Sequence, residues 1–221
     1  MSTPTPATTT VAIPLFDRFT ALDAIGPYEV LQRVPGVEVV FIGHERGEVR
    51  SDTGMLGIVR DATFEEVAHP DVVVFPGGPG TRVLPGDGRV LDWVRGAHAT
   101  STWTTSVCTG SMVLAAAGLL DGVTATTHWA ARPELEALGA IPVEERVVEH
   151  LDLRIVTAAG VSSGIDMALR LVELLVDTTA AQATQLMIEY DPMPPVDTGS
   201  VTKATEAVVA RAAEYATAGR S

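Results

Sequence analysis

The sequence predicts an α/β protein with a mostly parallel sheet covered by helices on both faces. Two observations carry this prediction. Short runs that are apolar or nearly so, such as VAIPLF (11–16), VEVVFIG (37–43, broken only by Glu38) and the VVVF of DVVVFPGGPG (71–80), alternate with helical patterns. A strand buried on both faces is apolar at every position, not at every second one. Two of these strands also run into loops of small residues, FPGGPG and SVCTGS. In open α/β sheets, ligands bind beyond the C-terminal ends of the strands, which is where such loops fall.

The elements follow in order. Residues 1–10, MSTPTPATTT, read as a disordered tail. One domain then spans 11–217, including the C-terminal helices. After the first strand, DAIGPYEVLQRV (23–34) reads as a helix, with Asp23 near its start and Pro27 in its first turn. GEVRSDTGMLGIVRD (47–61) carries two short strands about a turn, and FEEVA a scrap of helix. RVLDWVRGAHA (89–99) is helical. TSTWTTSVC is a strand ending at Cys108, and TGSMVLAAAGLL is the helix after it. VTATTHW (123–129) reads as a strand and ARPELEALG as a helix stopped by Gly139. ERVVEHLDLRIVTAAG (145–160) reads as a hairpin. SSGIDMALRLVELLVD (162–177) is a strong amphipathic helix, with Ser163 and Asp166 resembling a capping box. Its Met and Leu residues fall at helical spacing and belong to the core. Further helices occupy 179–190 and about 201–217.

Composition narrows the function. Hydrophobic residues make up 46% of the 221 and charged ones 19%, enough apolar surface for a core. A formal charge of −13 argues against nucleic acid and against anionic membrane surfaces as partners. A single cysteine excludes an intrachain disulfide and fits a reducing compartment. The N-terminus lacks the basic and apolar regions of a signal peptide, and no apolar run reaches membrane-span length. A soluble, cytoplasmic protein is expected.

That cysteine, Cys108, is the first candidate for chemistry. A free cysteine is commonly a small buried hydrophobe. Its place at a strand-to-helix junction argues otherwise. Ser106-Val-Cys-Thr-Gly110 resembles a nucleophile elbow with sulfur in place of the serine hydroxyl. Small neighbours let strand and helix approach closely. The helix N-terminus should lower the thiol pKa.

Around it stand further candidates. Gly77 and Gly78 are ordinary turn residues or, with the Thr109 N–H, backbone donors to charge forming on a substrate. No Gly-Lys-Ser/Thr follows, so a phosphate loop is disfavoured. Asp23 is either a helix cap or a carboxylic acid paired with the thiol. On the residues alone, capping is the better reading, and Asp17 and Glu29 are rival carboxylates. No spacing rule brings His128 to Cys108, and a structural histidine is the better reading. The five histidines show no metal-ligand pattern.

The stretches FTALDAIGPYEVL, VVVFPGGPG, TSVCTGSMVLAAAGLLDG, ATTHW and GVSSGIDMALRLVELL, in this order, resemble the ThiJ/PfpI superfamily, a group with the class I glutamine amidotransferase-like fold. Within it the set is similar to the isonitrile hydratases, over about residues 11–195. Part of the set also occurs in the ligand-binding halves of AraC-type regulators. The resemblance implies a flavodoxin-like three-layer sandwich, a homodimer, and hydration of isonitriles to N-substituted formamides without cofactor or metal. It places the nucleophile on Cys108, the partner acid on Asp23, a supporting threonine on Thr109 and a backbone donor on Gly78. Peptidase-like members carry histidine directly after the cysteine. Here that position is Thr109, which disfavours proteolysis. No helix-turn-helix domain is expected after residue 195. The alternatives are another thiol enzyme on this scaffold, a glyoxalase or deglycase, and a cysteine redox or small-molecule sensor.

Overall fold

The computed structural model describes residues 8–218. Residues 1–7 of the expected tail lie outside the described residues. Thr9 and Thr10 of that tail already belong to the first strand. The chain divides into two compact units, one ending at Ile188 and one beginning at Glu189.

In the first unit, β1 (Thr9–Pro14) leads into α1 (Ala21–Leu31), followed by β2 (Val37–Gly43), β3 (Gly47–Arg50), β4 (Gly57–Arg60) and β5 (Ala62–Thr63). β6 (Val72–Phe75), α2 (Gly88–Thr100), β7 (Trp103–Val107) and α3 (Gly110–Ala116) come next. β8 (Thr124–Ala125), α4 (Arg132–Ala137), β9 (Ile141–Pro142), β10 (Val147–His150), β11 (Ile155–Ala158), α5 (Ser163–Leu175) and α6 (Thr178–Met187) complete it.

Seven strands form the main sheet in the order β10-β11-β7-β6-β1-β2-β5. All neighbours are parallel except the β10–β11 hairpin. The expected doubly covered sheet is present. Val73, Phe75 and Ile155 face a cluster with Val94 and Ala97 of α2, Leu114 of α3 and Leu135 of α4. Val72, Val74 and Val156 face Leu31 of α1 and Met167 and Leu171 of α5. Alternate residues of these strands thus feed opposite layers, which is why Val72–Phe75 is apolar throughout, while the equally buried β7 carries Thr104, Thr105 and Ser106.

Several local expectations are corrected. α1 starts at Ala21, so Pro27 lies in the helix interior and not in its first turn. FEEVA forms turns, not helix. Only Thr124–Ala125 of VTATTHW is strand, in a separate pair with β9. Ser163 and Asp166 make no capping box. Ser163 Oγ donates to Gly160 O at 3.0 Å, and Asp166 pairs with Arg146. Nearby alternative partners outcompete the local cap.

The second unit, described from Glu189 to Ala218, holds a short 3-10 turn at Val201–Lys203 and α7 (Glu206–Ala218). Lys203 pairs with Asp197 at 2.6 Å within it. Among the described residues, no helix is long and apolar enough to cross a membrane.

Candidate active site

β1, β6, β7 and β11 are adjacent and parallel, so their C-terminal ends open at one edge. The order of strand addition reverses between β1 and β6, with β2 on one side of β1 and β6 on the other, the kind of switch point where such sheets bind ligands. Asp23 follows β1 on α1. Gly77 and Gly78 follow β6. Cys108 and Thr109 follow β7. The segment after β11 supplies Val161. Residues 54 to 138 positions apart in sequence from Asp23 meet here only because of this topology.

Cys108 sits on a sharp turn with φ +55° and is 5% exposed. A non-glycine residue in the left-handed region is strained, and elbows hold their nucleophile this way. Its neighbours fix it. The Cys108 N–H donates to Ala159 O at 2.8 Å, and its carbonyl accepts from Thr127 Oγ1 at 2.9 Å and Ser111 Oγ at 3.1 Å. The N–H groups of Val161 and Thr109 face the sulfur. Close approach of helix to strand is confirmed at Gly110, where a Cβ would lie 2.1 Å from Phe75 O.

Asp23 is fully buried, and it does not cap α1. Its Oδ2 accepts the Gly77 N–H at 2.9 Å, across 54 residues of sequence. Oδ1 is buried without a hydrogen-bond partner of normal geometry among the described residues. The Cys108 thiol, a weak donor, is its electrostatic neighbour. Asp17 and Glu29, the rival carboxylates, are elsewhere. Asp17 is exposed, and Glu29 pairs with Arg33 on the surface.

Burial pushes the Asp23 carboxyl up to about 7, against the opposing pull of the Gly77 N–H and the thiol; Asp52 adds a small upward push. Burial first, and then the Asp23 charge, pushes the Cys108 thiol up to about 12. The expectation that the helix N-terminus lowers the thiol is therefore corrected. α3 is only seven residues long, and desolvation of the charged sulfur outweighs its end. Between these limits the pair holds one proton. When that proton sits on Asp23, the sulfur is a thiolate beside a carboxylic acid.

Thr109 Oγ1 accepts the Gly78 N–H at 2.9 Å and lies 3.0 Å from Thr81 Oγ1. The Gly78 donor is thus engaged within the protein, and the Gly77 donor is engaged by Asp23. The N–H groups directed at the sulfur are those of Thr109 and Val161. Val161 was not foreseen. Its only signal is the unusual φ of +33° for a β-branched residue, which no sequence pattern displays.

His128 lies closer to the site than its spacing suggested. Its ring packs on Gly160, beside Val161, and leaves no room there for a side chain. It also caps the turn Trp129–Ala131, accepting the Ala130 N–H on Nδ1 at 3.3 Å, so the structural reading stands. Burial lowers its pKa, with the Arg82 charge adding to the effect. Among the described residues, no group of three His, Cys, Asp or Glu is arranged to hold a metal ion.

The profile of the DJ-1/PfpI family matches residues 9–174. Isonitrile hydratase of Pseudomonas putida is 46% identical over 202 residues, covering 91% of this chain and 87% of that protein. The HTH-type transcriptional regulator CdhR of Pseudomonas aeruginosa is 32% identical over 129 residues, which cover 57% of this chain and 37% of the regulator. Among solved structures, a ThiJ/PfpI family protein from Pseudomonas syringae superposes with a TM-score of 0.87 at 35% identity, covering 100% of this chain and 96% of that one.

Proposed function

The chain belongs to the DJ-1/PfpI family, and from that premise we propose that it is an isonitrile hydratase with Cys108 as nucleophile and Asp23 as its proton partner. The observation that carries this reading is the buried Cys108–Asp23 pair at a strained elbow, with the carboxyl pushed up to about 7 by burial. The resemblance to the hydratase of Pseudomonas putida supplies the substrate class.

The terminal carbon of an isonitrile, R–N≡C, accepts the sulfur. A carbon–sulfur bond forms, and the proton held by Asp23 passes to the same carbon. The product is the thioimidate R–N=CH–S–Cys108. Asp23, now a carboxylate, takes a proton from water as the oxygen adds to that carbon. The carbon–sulfur bond then breaks. The nitrogen ends protonated, R–NH–CHO leaves, and the pair again holds one proton. Thr109 and Val161 N–H groups stabilise the sulfur when it is anionic, at entry and at departure. Gly78 contributes through Thr109, whose hydroxyl its N–H holds.

Thr109 in the position after the nucleophile leaves no histidine to activate a peptidase thiol. The lone free thiol suits a reducing compartment, and we place the enzyme in the cytoplasm, as a homodimer in keeping with the resemblance.

The test is formamide production from a panel of alkyl and aryl isonitriles, with methylglyoxal as the competing substrate. Formamide is expected from the wild type, and none from Cys108→Ala, whose circular dichroism should match the wild type. Lactate from methylglyoxal without formamide would reassign the chain to a glyoxalase. Wild-type turnover in Cys108→Ala would remove the covalent step.

A further inference from the structure

Thr81 lies in the 3-10 turn Pro79–Arg82 that follows the FPGG loop, and it is fully buried. Its hydroxyl donates to Gly78 O at 2.7 Å and reaches Thr109 Oγ1 at 3.0 Å. Thr109 Oγ1 in turn accepts the Gly78 N–H at 2.9 Å and donates to Gly78 O at 3.1 Å. Both backbone groups of Gly78 are therefore committed to this pair of hydroxyls. Nothing in the packing of an apolar core requires two threonines to meet here. A valine has the same shape and carries no polar group to satisfy.

The site lies immediately beyond this cluster. A Cβ on Gly77 would lie 2.5 Å from Thr109 N and 2.7 Å from Asp23 Oδ2. The loop, the elbow and the carboxylate are therefore in direct contact. A hydroxyl that sets where Thr109 sits also sets where the Thr109 N–H points.

We propose that Thr81 is a positioning residue that acts through Thr109, locking the elbow to the FPGG loop so that the Thr109 N–H stays directed at the Cys108 sulfur. The proposal deepens the hydratase reading but does not depend on turnover for its test, because thiol reactivity is measurable without any isonitrile.

The experiment compares Thr81→Val, Thr81→Ser and the wild type by iodoacetamide alkylation of Cys108 across pH, followed by intact mass, and by isonitrile turnover. Thr81→Val should move the alkylation midpoint upward and lower kcat about tenfold with little change in KM, since a small misplacement at a reacting centre costs that much or more. Thr81→Ser should restore both. In a double-mutant cycle read on the alkylation midpoint and kcat, adding Thr81→Val to Thr109→Val should move neither further, because the route through the Thr109 hydroxyl is already gone; the Thr81–Gly78 bond lost with it counts only in stability. A lower melting temperature with an unmoved alkylation midpoint, equal losses in the Val and Ser variants, or additive effects in the cycle would each overturn the proposal. If Thr81→Val does not fold, Thr81→Ala carries the same comparison. A wild type that alkylates as described but makes no formamide would overturn the hydratase reading and leave the Thr81 assignment standing.

Discussion

Gly77 donates its N–H to the Asp23 carboxylate at 2.9 Å and stands where no side chain fits. A Cβ there would press on Asp23 Oδ2 at 2.7 Å and on the Thr109 amide at 2.5 Å. The second neighbour is backbone and cannot swing aside. Gly77→Ala should therefore spread the acid from the thiol. We expect a loss of ~100-fold in kcat from misplacement at the reacting atoms, and of ~1–3 kcal/mol in stability from overpacking. Steady-state kinetics and denaturant melts read the two effects separately. A Gly77→Ala enzyme with wild-type kcat would show that this spacing does not govern the pair.

Gly110 serves the fold. The Phe75 carbonyl oxygen would lie 2.1 Å from a Cβ at that position, so β6 and the start of α3 cannot keep their distance with any larger residue. Gly110→Ala should cost ~3 kcal/mol or more, the upper range for forced overpacking. Gly96 is the control. It sits inside α2 with nothing within 4 Å of its Cβ position. Gly96→Ala should stabilise the protein by ~0.5–1 kcal/mol through helix propensity. Urea denaturation of the three proteins decides, and a neutral Gly110→Ala would refute the close-contact reading.

The sheet was legible in the sequence because doubly buried strands such as Val72–Phe75 advertise themselves by continuous apolarity. The elbow was legible because a cysteine between such a strand and a helix, with glycine two positions on, has few other uses. Asp23 was harder to read. As a residue near a helix start it looked like a cap, and only the meeting of β1 and β6 turned it toward Gly77. The thiol's electrostatics were misjudged because burial is a property of the assembled core, absent from any local pattern. Val161 and Thr81 were invisible for a related reason. One acts through its backbone and the other through a contact 28 residues away.

The pH dependence of turnover follows from the pair. Burial holds the Asp23 carboxyl up at about 7 and the Cys108 thiol at about 12. Below the first value, both groups are protonated and there is neither thiolate nor base. Above it the pair holds one proton, chiefly on the sulfur, and the Asp23 carboxylate is the base that takes it as the sulfur attacks. kcat/KM, which reports the free enzyme, should rise with pH through about 7 and stay level well into the alkaline range. Asp23→Asn should lose this limb and fall by ~100-fold or more, the upper part of the range for a positioned proton-transfer group. A profile unchanged by Asp23→Asn would assign the limb to another group.

Stability should show the opposite slope. The Asp23 carboxyl has an ordinary value of 3.8 and a folded value of about 7, raised chiefly by burial. Below 3.8 it is protonated in both states and costs the fold nothing. Between 3.8 and about 7 the folded state binds more protons than the unfolded one, so stability falls as pH rises. Above that window the loss is complete, of the order of 4 kcal/mol at about 1.4 kcal/mol per pH unit. Asp23→Asn keeps an acceptor for the Gly77 N–H but cannot ionise. Its amide adds buried donors whose cost does not vary with pH, so the informative quantity is how the difference between variants changes with pH. Relative to wild type, Asp23→Asn should gain about 3 kcal/mol on going from pH ~5 to pH ~8. The Cys108 thiol stays protonated in the folded state over this range, and groups remote from the pair are common to both proteins and cancel. Guanidinium melts at the two pH values measure it. A difference that stays constant would mean that Asp23 is not buried as an ionisable acid.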